Sequence, residues 1–100
     1  MEHVQVIYWR EIPVQVKLKN GCSRIKKPLS ERFQKTVYRA AYRAKAIHGS
    51  RYQEGWVLSD WQAREGVATE ILIAVVAELE NAYSDERLDN LALNKGYELK

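Results

Sequence analysis

The stretch VKLKNGCSRIKK, residues 16–27, predicts a β-hairpin, and this prediction decides the fold class. Apolar and polar residues alternate on the arm that leads into the turn, which is the period of a half-buried strand. Asn20-Gly21 is the strongest short signal for a two-residue hairpin turn. We therefore expect Asn20 and Gly21 to form the turn, with Val16 opposite Ile25 on the inner face.

The same register gathers positive charge on the outer face of the hairpin. It places Lys17 opposite Arg24, with Lys19 and Lys26 beside them. Like charges directly opposite on a β-ribbon destabilise it by a few tenths to about 1 kcal/mol, so a compensating anion is expected. That anion is a phosphate, an acidic partner or the second half of the chain. The alternative is that exposed lysines keep the ribbon soluble and discourage edge pairing.

A strand and a helix flank the hairpin. Residues 4–9 are apolar on both faces, so this strand is expected at the centre of the sheet. Ser30 is expected to cap a helix at residues 31–47, in which apolar residues recur every three or four positions. Gly49 is expected to end that helix.

The second half is more ambiguous. Residues 56–64 are interpreted as a strand, although Ser59 and Gln62 also fit a capping box that opens an early helix. A second helix is expected at residues 67–83, although its β-branched centre also fits a strand.

These elements predict an α+β fold: an antiparallel sheet of three or four strands with two main helices packed on one face. We expect a single domain at residues 1–84. Residues 85–100 are expected to form a polar C-terminal tail that is partly helical or disordered.

The charge of the chain is divided unevenly between its halves. Residues 1–50 hold eleven Lys and Arg against three Glu, a net charge of +8, and residues 51–100 hold five against ten acids, a net charge of −5. Such asymmetry is informative about partners and association.

A second group of candidates lies on the predicted helix 31–47. Tyr38 and Tyr42 are four residues apart and alternate with cations, and Tyr42 points away from the predicted core. The group comprises Lys35, Tyr38, Arg39, Tyr42 and Arg43. Exposed aromatic rings among cations suit a protein hot spot, or base stacking with phosphate contact. The alternative is that the rings cover neighbouring side chains.

Other classes of function find little support. His3, His48 and Cys22 lie in separate predicted elements without ligand spacing, so we expect no metal site, cofactor or thiol nucleophile. The longest apolar run, ILIAVVA at residues 71–77, is too short to span a bilayer. With a single cysteine and no secretion signal, a cytoplasmic location without membrane attachment is expected.

Four segments carry a resemblance to a known family: YWREIPVQV (8–16), LSERFQ (29–34), AAYRA (40–44) and SDW (59–61). Together they resemble the bacterial virulence factor domain family over about residues 4–84. The resemblance implies a small standalone or appended module without an assigned reaction, cofactor or catalytic residue. By the motif match, the positions to test are Tyr8, Trp9, Arg10, Ile12, Pro13 and Phe33.

We therefore expect an interaction module that binds an acidic protein partner, or a copy of itself, through the basic hairpin and helix. The alternative is a nucleic-acid-binding protein that uses the same face with Tyr38 and Tyr42. Pro13 interrupts the strand pattern and predicts a bend at residues 10–13. Arg10, a polar residue beside this bend, is a further candidate that could bind a carboxylate or phosphate in a bidentate manner. An enzyme is the third possibility.

Overall fold

An antiparallel sheet and helices make up residues 2–98, the part of the chain that the computed structural model describes. In chain order the elements are β1 (Glu2–Trp9), β2 (Ile12–Asn20), β3 (Ser23–Pro28), α1 (Glu31–Arg43), α2 (Ser50–Glu54), β4 (Trp56–Leu58), β5 (Gln62–Arg64), α3 (Ala68–Ala82) and α4 (Asp85–Leu93). The sheet order is β3-β2-β1, and β4 and β5 both lie on the other side of β1. The predicted α+β class is confirmed.

Residues 56–64 form two short strands along one edge of β1. β4 and β5 pair with opposite ends of β1, and between these pairings residues 59–61 face only two residues of β1. One extra residue in one strand makes a β-bulge. Ser59 bridges the interruption, since its Oγ accepts a hydrogen bond from the Val6 N–H at 2.9 Å. The strand interpretation is therefore confirmed, and the capping box is wrong.

The hairpin turn lies one residue later than predicted. Asn20 pairs with Ser23, so Gly21 and Cys22 form the two-residue loop. Gly21 has a φ of 58°, and Cys22 is not among the residues with positive φ. A glycine with positive φ at the first loop position is the pattern of a type II′ turn, which matches the twist of a hairpin.

The shifted turn changes the cross-strand partners but not the faces. Leu18 pairs with Ile25, so the predicted pairing of Val16 with Ile25 is wrong. Val16 and Leu18 are nonetheless both buried on the inner side. A slide of two residues preserves the alternation of a strand, whereas a slide of one would reverse it.

Helix α1 ends at Arg43 rather than at residue 47. Lys45 adopts the left-handed conformation, with a φ of 56°. The Ala46 N–H donates to the Ala41 oxygen at 2.8 Å, and the Lys45 N–H donates to the Tyr42 oxygen at 3.1 Å. These two bonds form a Schellman motif, which completes the helix without a glycine.

The prediction that Gly49 ends the helix α1 is wrong. Gly49 precedes the short helix α2, with a φ of 76°.

Helix α4 ends in the same way as α1. At its end, Lys95 has a φ of 63° and the Gly96 N–H donates to the Leu91 oxygen at 2.7 Å. Helices α1 and α4 therefore both end in a left-handed lysine with a hydrogen bond of the Schellman type.

The start of α1 is held by α3, a contact that sequence analysis missed. The Ser30 side chain makes no cap bond within α1, contrary to the prediction. Instead, its N–H and Oγ donate to the Glu80 carboxylate at 2.7 and 2.9 Å. Arg32 donates to the Glu80 backbone oxygen at 2.7 Å and to the Tyr83 oxygen at 2.6 Å. These are carbonyls at the end of α3 that lack partners within the helix.

One apolar core joins the sheet to the helices. Helix α3 packs against β2 and β3, and α1 packs against β2 and α4. Trp9 and Phe33 are fully buried in the core, and Leu88 and Leu91 of α4 are also buried there. Helix α4 thus lies within the stretch expected as a partly helical tail. The domain boundary at residue 84 stays a prediction.

Candidate functional site

An open groove lies between α1 and α4. Its volume is about 760 Å³, and its lining is formed by Tyr38, Arg39, Tyr42, Arg43, Lys45, Ala92 and Leu93. The side chains of Tyr38 and Tyr42 are 57% and 75% exposed, so these rings are not covered by the rest of the described chain. Four of the residues predicted for binding are therefore brought together in one place.

Helix geometry explains how this groove forms. Phe33, Val37, Ala40 and Ala41 bury one face of α1, which leaves Tyr38 and Tyr42 on the opposite side. The buried leucines of α4 hold it against α1, and Ala92 and Leu93 at its end complete the groove. The Schellman turn then places Lys45 at the margin.

The groove carries more positive than negative charge. Arg39 forms an ion pair with Asp89 of α4, with 2.8 Å between Nη1 and Oδ1. Both side chains are more than half exposed, so this pair is weakly stabilising and can be exchanged for another partner. Within residues 2–98, Arg43 and Lys45 form no ion pair. Their charge is therefore available to a ligand.

The remaining predicted cation of α1 lies outside the groove lining. Lys35 is 3.9 Å from Glu31, one turn earlier on the helix, and both side chains are strongly exposed. An exposed pair of this kind contributes little to stability. Lys35 can therefore add to the positive potential around α1 without contacting a ligand in the groove.

The hairpin cations form a second cluster on the outer face of the sheet. Lys17 pairs with Lys26, and Lys19 pairs with Arg24, so the predicted pairing of Lys17 with Arg24 is wrong. The prediction that like charges face each other nevertheless holds for both pairs. The Lys19 Nζ lies 4.3 Å from the centroid of the Trp61 ring, a cation–π contact. None of the four cations lines the groove.

Arg10 occupies a third position, apart from both clusters. It has a φ of 55°, and its Nη1 donates to the Lys95 oxygen at 2.8 Å. Its guanidinium lies 4.8 Å from the Trp9 ring centroid and 5.0 Å from that of Tyr97. Arg10 therefore holds the residues after α4 against the β1–β2 turn. The expected bidentate binding of an anion stays a prediction.

Groups with perturbed pKa values lie away from the groove. Burial raises the pKa of Tyr8, Tyr52 and Tyr83 above the ordinary tyrosine value. Burial also acts to raise the pKa of Glu80, but hydrogen bonds from the start of α1 outweigh it and lower this pKa overall. None of these groups lines the groove, whose side chains offer charge, aromatic surface and hydrogen-bond donors. These groups suit the binding of a ligand with negative charge and apolar surface.

Among residues 2–98, no cluster of three or more His, Cys, Asp or Glu side chains could hold a metal ion. In the same part of the chain, no helix combines the length and apolar character needed to cross a bilayer.

The fold and the groove together define a small α+β domain with a cationic and aromatic surface groove. The family described as "Virulence factor" matches residues 7–92, from β1 into α4, and the chain belongs to this family. No curated protein and no solved structure matches the chain significantly. The resemblance inferred from the sequence is confirmed, and the matched region extends past residue 84 to include most of α4.

Proposed function

We propose that this protein is an interaction module that binds an acidic segment of a partner protein in the α1–α4 groove. One observation carries the proposal: the exposed Tyr38 and Tyr42, the apolar Ala92 and Leu93, and two cations that form no ion pair within residues 2–98 line the same groove. Tyrosine and arginine are enriched at the sites that supply most of the binding energy in protein interfaces.

The composition of the groove defines the partner. Ala92 and Leu93, with the faces of Tyr38 and Tyr42, accept an aliphatic or aromatic side chain as an anchor. Arg43 and the neighbouring cations pair with carboxylates on either side of that anchor. The preferred ligand is therefore an acidic segment with one central apolar residue, either helical or extended.

The hairpin cations act at a distance in this proposal. Lys17, Lys19, Arg24 and Lys26 do not line the groove, but they increase the positive potential of the surface. Such a potential speeds the encounter with an acidic partner and weakens as salt is added. We place this encounter in the cytoplasm, where an exposed single thiol such as Cys22 stays reduced.

Selection from a random peptide library displayed on phage tests the proposal. The full chain is immobilised, and the selection is repeated with Arg43→Glu and with Tyr42→Ala. The matched control is Arg51→Glu, which makes the same charge change at an exposed residue outside the groove. We expect acidic peptides with a single apolar anchor from the wild type and from the control, and loss of these peptides with the two groove variants. The same peptides from all four proteins would refute the proposal.

A second candidate is a nucleic-acid-binding protein, and the outer face of the sheet is the observation that favours it. Two cross-strand cation pairs lie on this face, and one of their members, Lys19, contacts the half-buried ring of Trp61, so phosphate contact and base stacking are both available there. Tyr38 and Tyr42, which the sequence-based alternative joined to these cations, line the α1–α4 groove instead. Against it, Asp89 stands at the groove and the second half of the chain is acidic.

Salt dependence separates the two candidates. Binding of a mixed-sequence single-stranded RNA to a phosphate-neutralising surface falls steeply as salt rises. Lys26→Glu should abolish such binding, and Arg51→Glu should preserve it. Absence of RNA binding at low salt would eliminate this candidate.

A further inference from the structure

The exposed side of α3 is a second surface without a partner among the described residues. Ile71, Leu72 and Val75 bury one side of the helix. On the opposite side, Ile73 is 60% exposed. The solvent-facing positions of a surface helix normally hold polar residues. A helix that is apolar around most of its circumference is usually covered on more than one side.

The exposed residues of α3 form a stripe with a defined charge. Ile73 and Ala74 lie three and four residues after Glu70, Ala77 lies four and three residues after them, and all four are exposed. We call these four residues the α3 stripe. Glu70 forms no ion pair within residues 2–98, and α3 contains no basic residue. The stripe is therefore acidic at its start and apolar along its length.

The α3 stripe offers an apolar anchor and one of the carboxylates that suit the α1–α4 groove. Ile73 supplies the anchor, and Glu70, one turn earlier, supplies a carboxylate on one side of it. Arg43 and Lys45 supply the opposite charge, and the two tyrosine rings supply apolar surface. No residue of the stripe lines the groove, so both surfaces are exposed on the same molecule.

We propose that the acidic partner is a second copy of this chain, whose α3 stripe docks in the α1–α4 groove. This inference rests on the proposed function of the groove. A helix that lays an amphipathic face into a groove is a common mode of protein recognition. Because the two surfaces differ, the contact is head-to-tail, and repeated use of it produces either a closed ring or an open chain of molecules.

Sedimentation of the full chain from micromolar to millimolar concentration tests the inference. The wild type should exceed the mass of a monomer as the concentration rises. Arg43→Glu and Glu70→Lys should each weaken self-association at least about tenfold, since each opposes like charges across the contact. Arg51→Glu and Glu54→Lys make the same charge changes on α2 and should leave it unchanged. All of these residues are exposed, and circular dichroism verifies that each variant is folded.

Restoration of the charge pair identifies the contact. The double variant Arg43→Glu with Glu70→Lys reverses both sides and should recover self-association. A wild type that remains monomeric at every concentration would overturn the inference, and so would single variants that associate as strongly as the wild type.

The peptide selection makes the two proposals distinguishable. If the wild type is monomeric but selects acidic peptides that Arg43→Glu loses, the second copy is ruled out and the groove keeps its proposed function. If neither self-association nor selective peptide binding occurs, both proposals fail.

Discussion

Replacement of Gly55 by alanine tests the packing that supports the end of β1. Gly55 lies directly before β4 and is buried against the fully buried Trp9. Its φ of −72° and ψ of −21° suit any residue, so alanine introduces no backbone strain. An added Cβ would, however, lie 2.5 Å from Trp9 Cε2 and closer still to Nε1. That indole donates from Nε1 to the Tyr52 oxygen at 2.9 Å.

The expected loss of stability comes from the displacement of the Trp9 ring and from the loss of its hydrogen bond to Tyr52. Moving a packed ring costs about 1–3 kcal/mol. If the ring turns away from Tyr52, a buried donor is left without a partner, which costs about 1–3 kcal/mol more. Alanine recovers only about 0.4–1 kcal/mol through the lower entropy of the unfolded chain. We therefore expect Gly55→Ala to lower the free energy of unfolding by about 3 kcal/mol, which corresponds to a Tm about 12–24 °C lower.

Urea denaturation followed by circular dichroism and tryptophan fluorescence measures this loss. Gly21→Ala is the control, because no atom lies within 4 Å of its added Cβ and only its φ of 58° opposes the change. We expect the control to cost about 1 kcal/mol. A Gly55→Ala variant that is no less stable than Gly21→Ala would refute the close packing of Trp9 against the segment before β4.

Four further substitutions test other contacts. Hydrogen bonds lower the pKa of Glu80 in the folded state, so they stabilise the fold above the ordinary value of 4.5, and this stabilisation disappears as the pH falls through the folded pKa. In urea titrations over this range, Glu80→Gln should therefore lose stability against the wild type at neutral pH, and the difference should shrink in acid; a difference that is constant with pH contradicts it. Arg32→Ala leaves the carbonyls at the end of α3 without a charged donor and should cost about 2–3 kcal/mol by the same assay, whereas a loss below about 1 kcal/mol would show that water replaces it. Lys45→Gly and Lys95→Gly each replace a residue with left-handed backbone, so each should raise the free energy of unfolding by about 1 kcal/mol in thermal unfolding. Only Lys45 lines the groove, so only Lys45→Gly should weaken peptide binding. Equal effects of the two substitutions on binding would argue against the groove.

The sequence predicts the elements whose signals are local. Alternation around the hairpin and the three-to-four spacing in α1 and α3 lead directly to the observed strands and helices. The exposure of Tyr42 also follows, because its angle on the helix is fixed by the buried residues around it.

Other features depend on contacts between distant residues. Two hairpin registers that differ by a slide of two residues bury the same face, so alternation alone cannot choose between Val16 and Leu18 as the partner of Ile25. The end of α1 at Arg43 uses a left-handed Lys45, for which glycine is the usual sequence signal. Arg32 gave no signal at all, because its partners are about fifty residues away.

The sequence predicts the side of the candidate site that α1 forms, but not the side that α4 forms. Tyr38, Arg39, Tyr42 and Arg43 share one helix, so their spacing revealed a common surface. Ala92 and Leu93 come from α4, and only the packing of α4 on α1 places them opposite. The hairpin cations, which sequence analysis joined to this surface, lie on the outer face of the sheet, whereas α1 packs against the inner side of β2, so they do not line the groove.

Chemical-shift mapping tests the groove most directly. The ¹⁵N-labelled full chain is titrated with a synthetic peptide that has glutamates on both sides of a single leucine. We expect the largest amide shifts at residues 38–45 and at Ala92 and Leu93, with saturation and with loss of the effect in Arg43→Glu. Largest shifts on the hairpin at residues 17–26, or shifts unchanged by Arg43→Glu, would contradict binding in the groove.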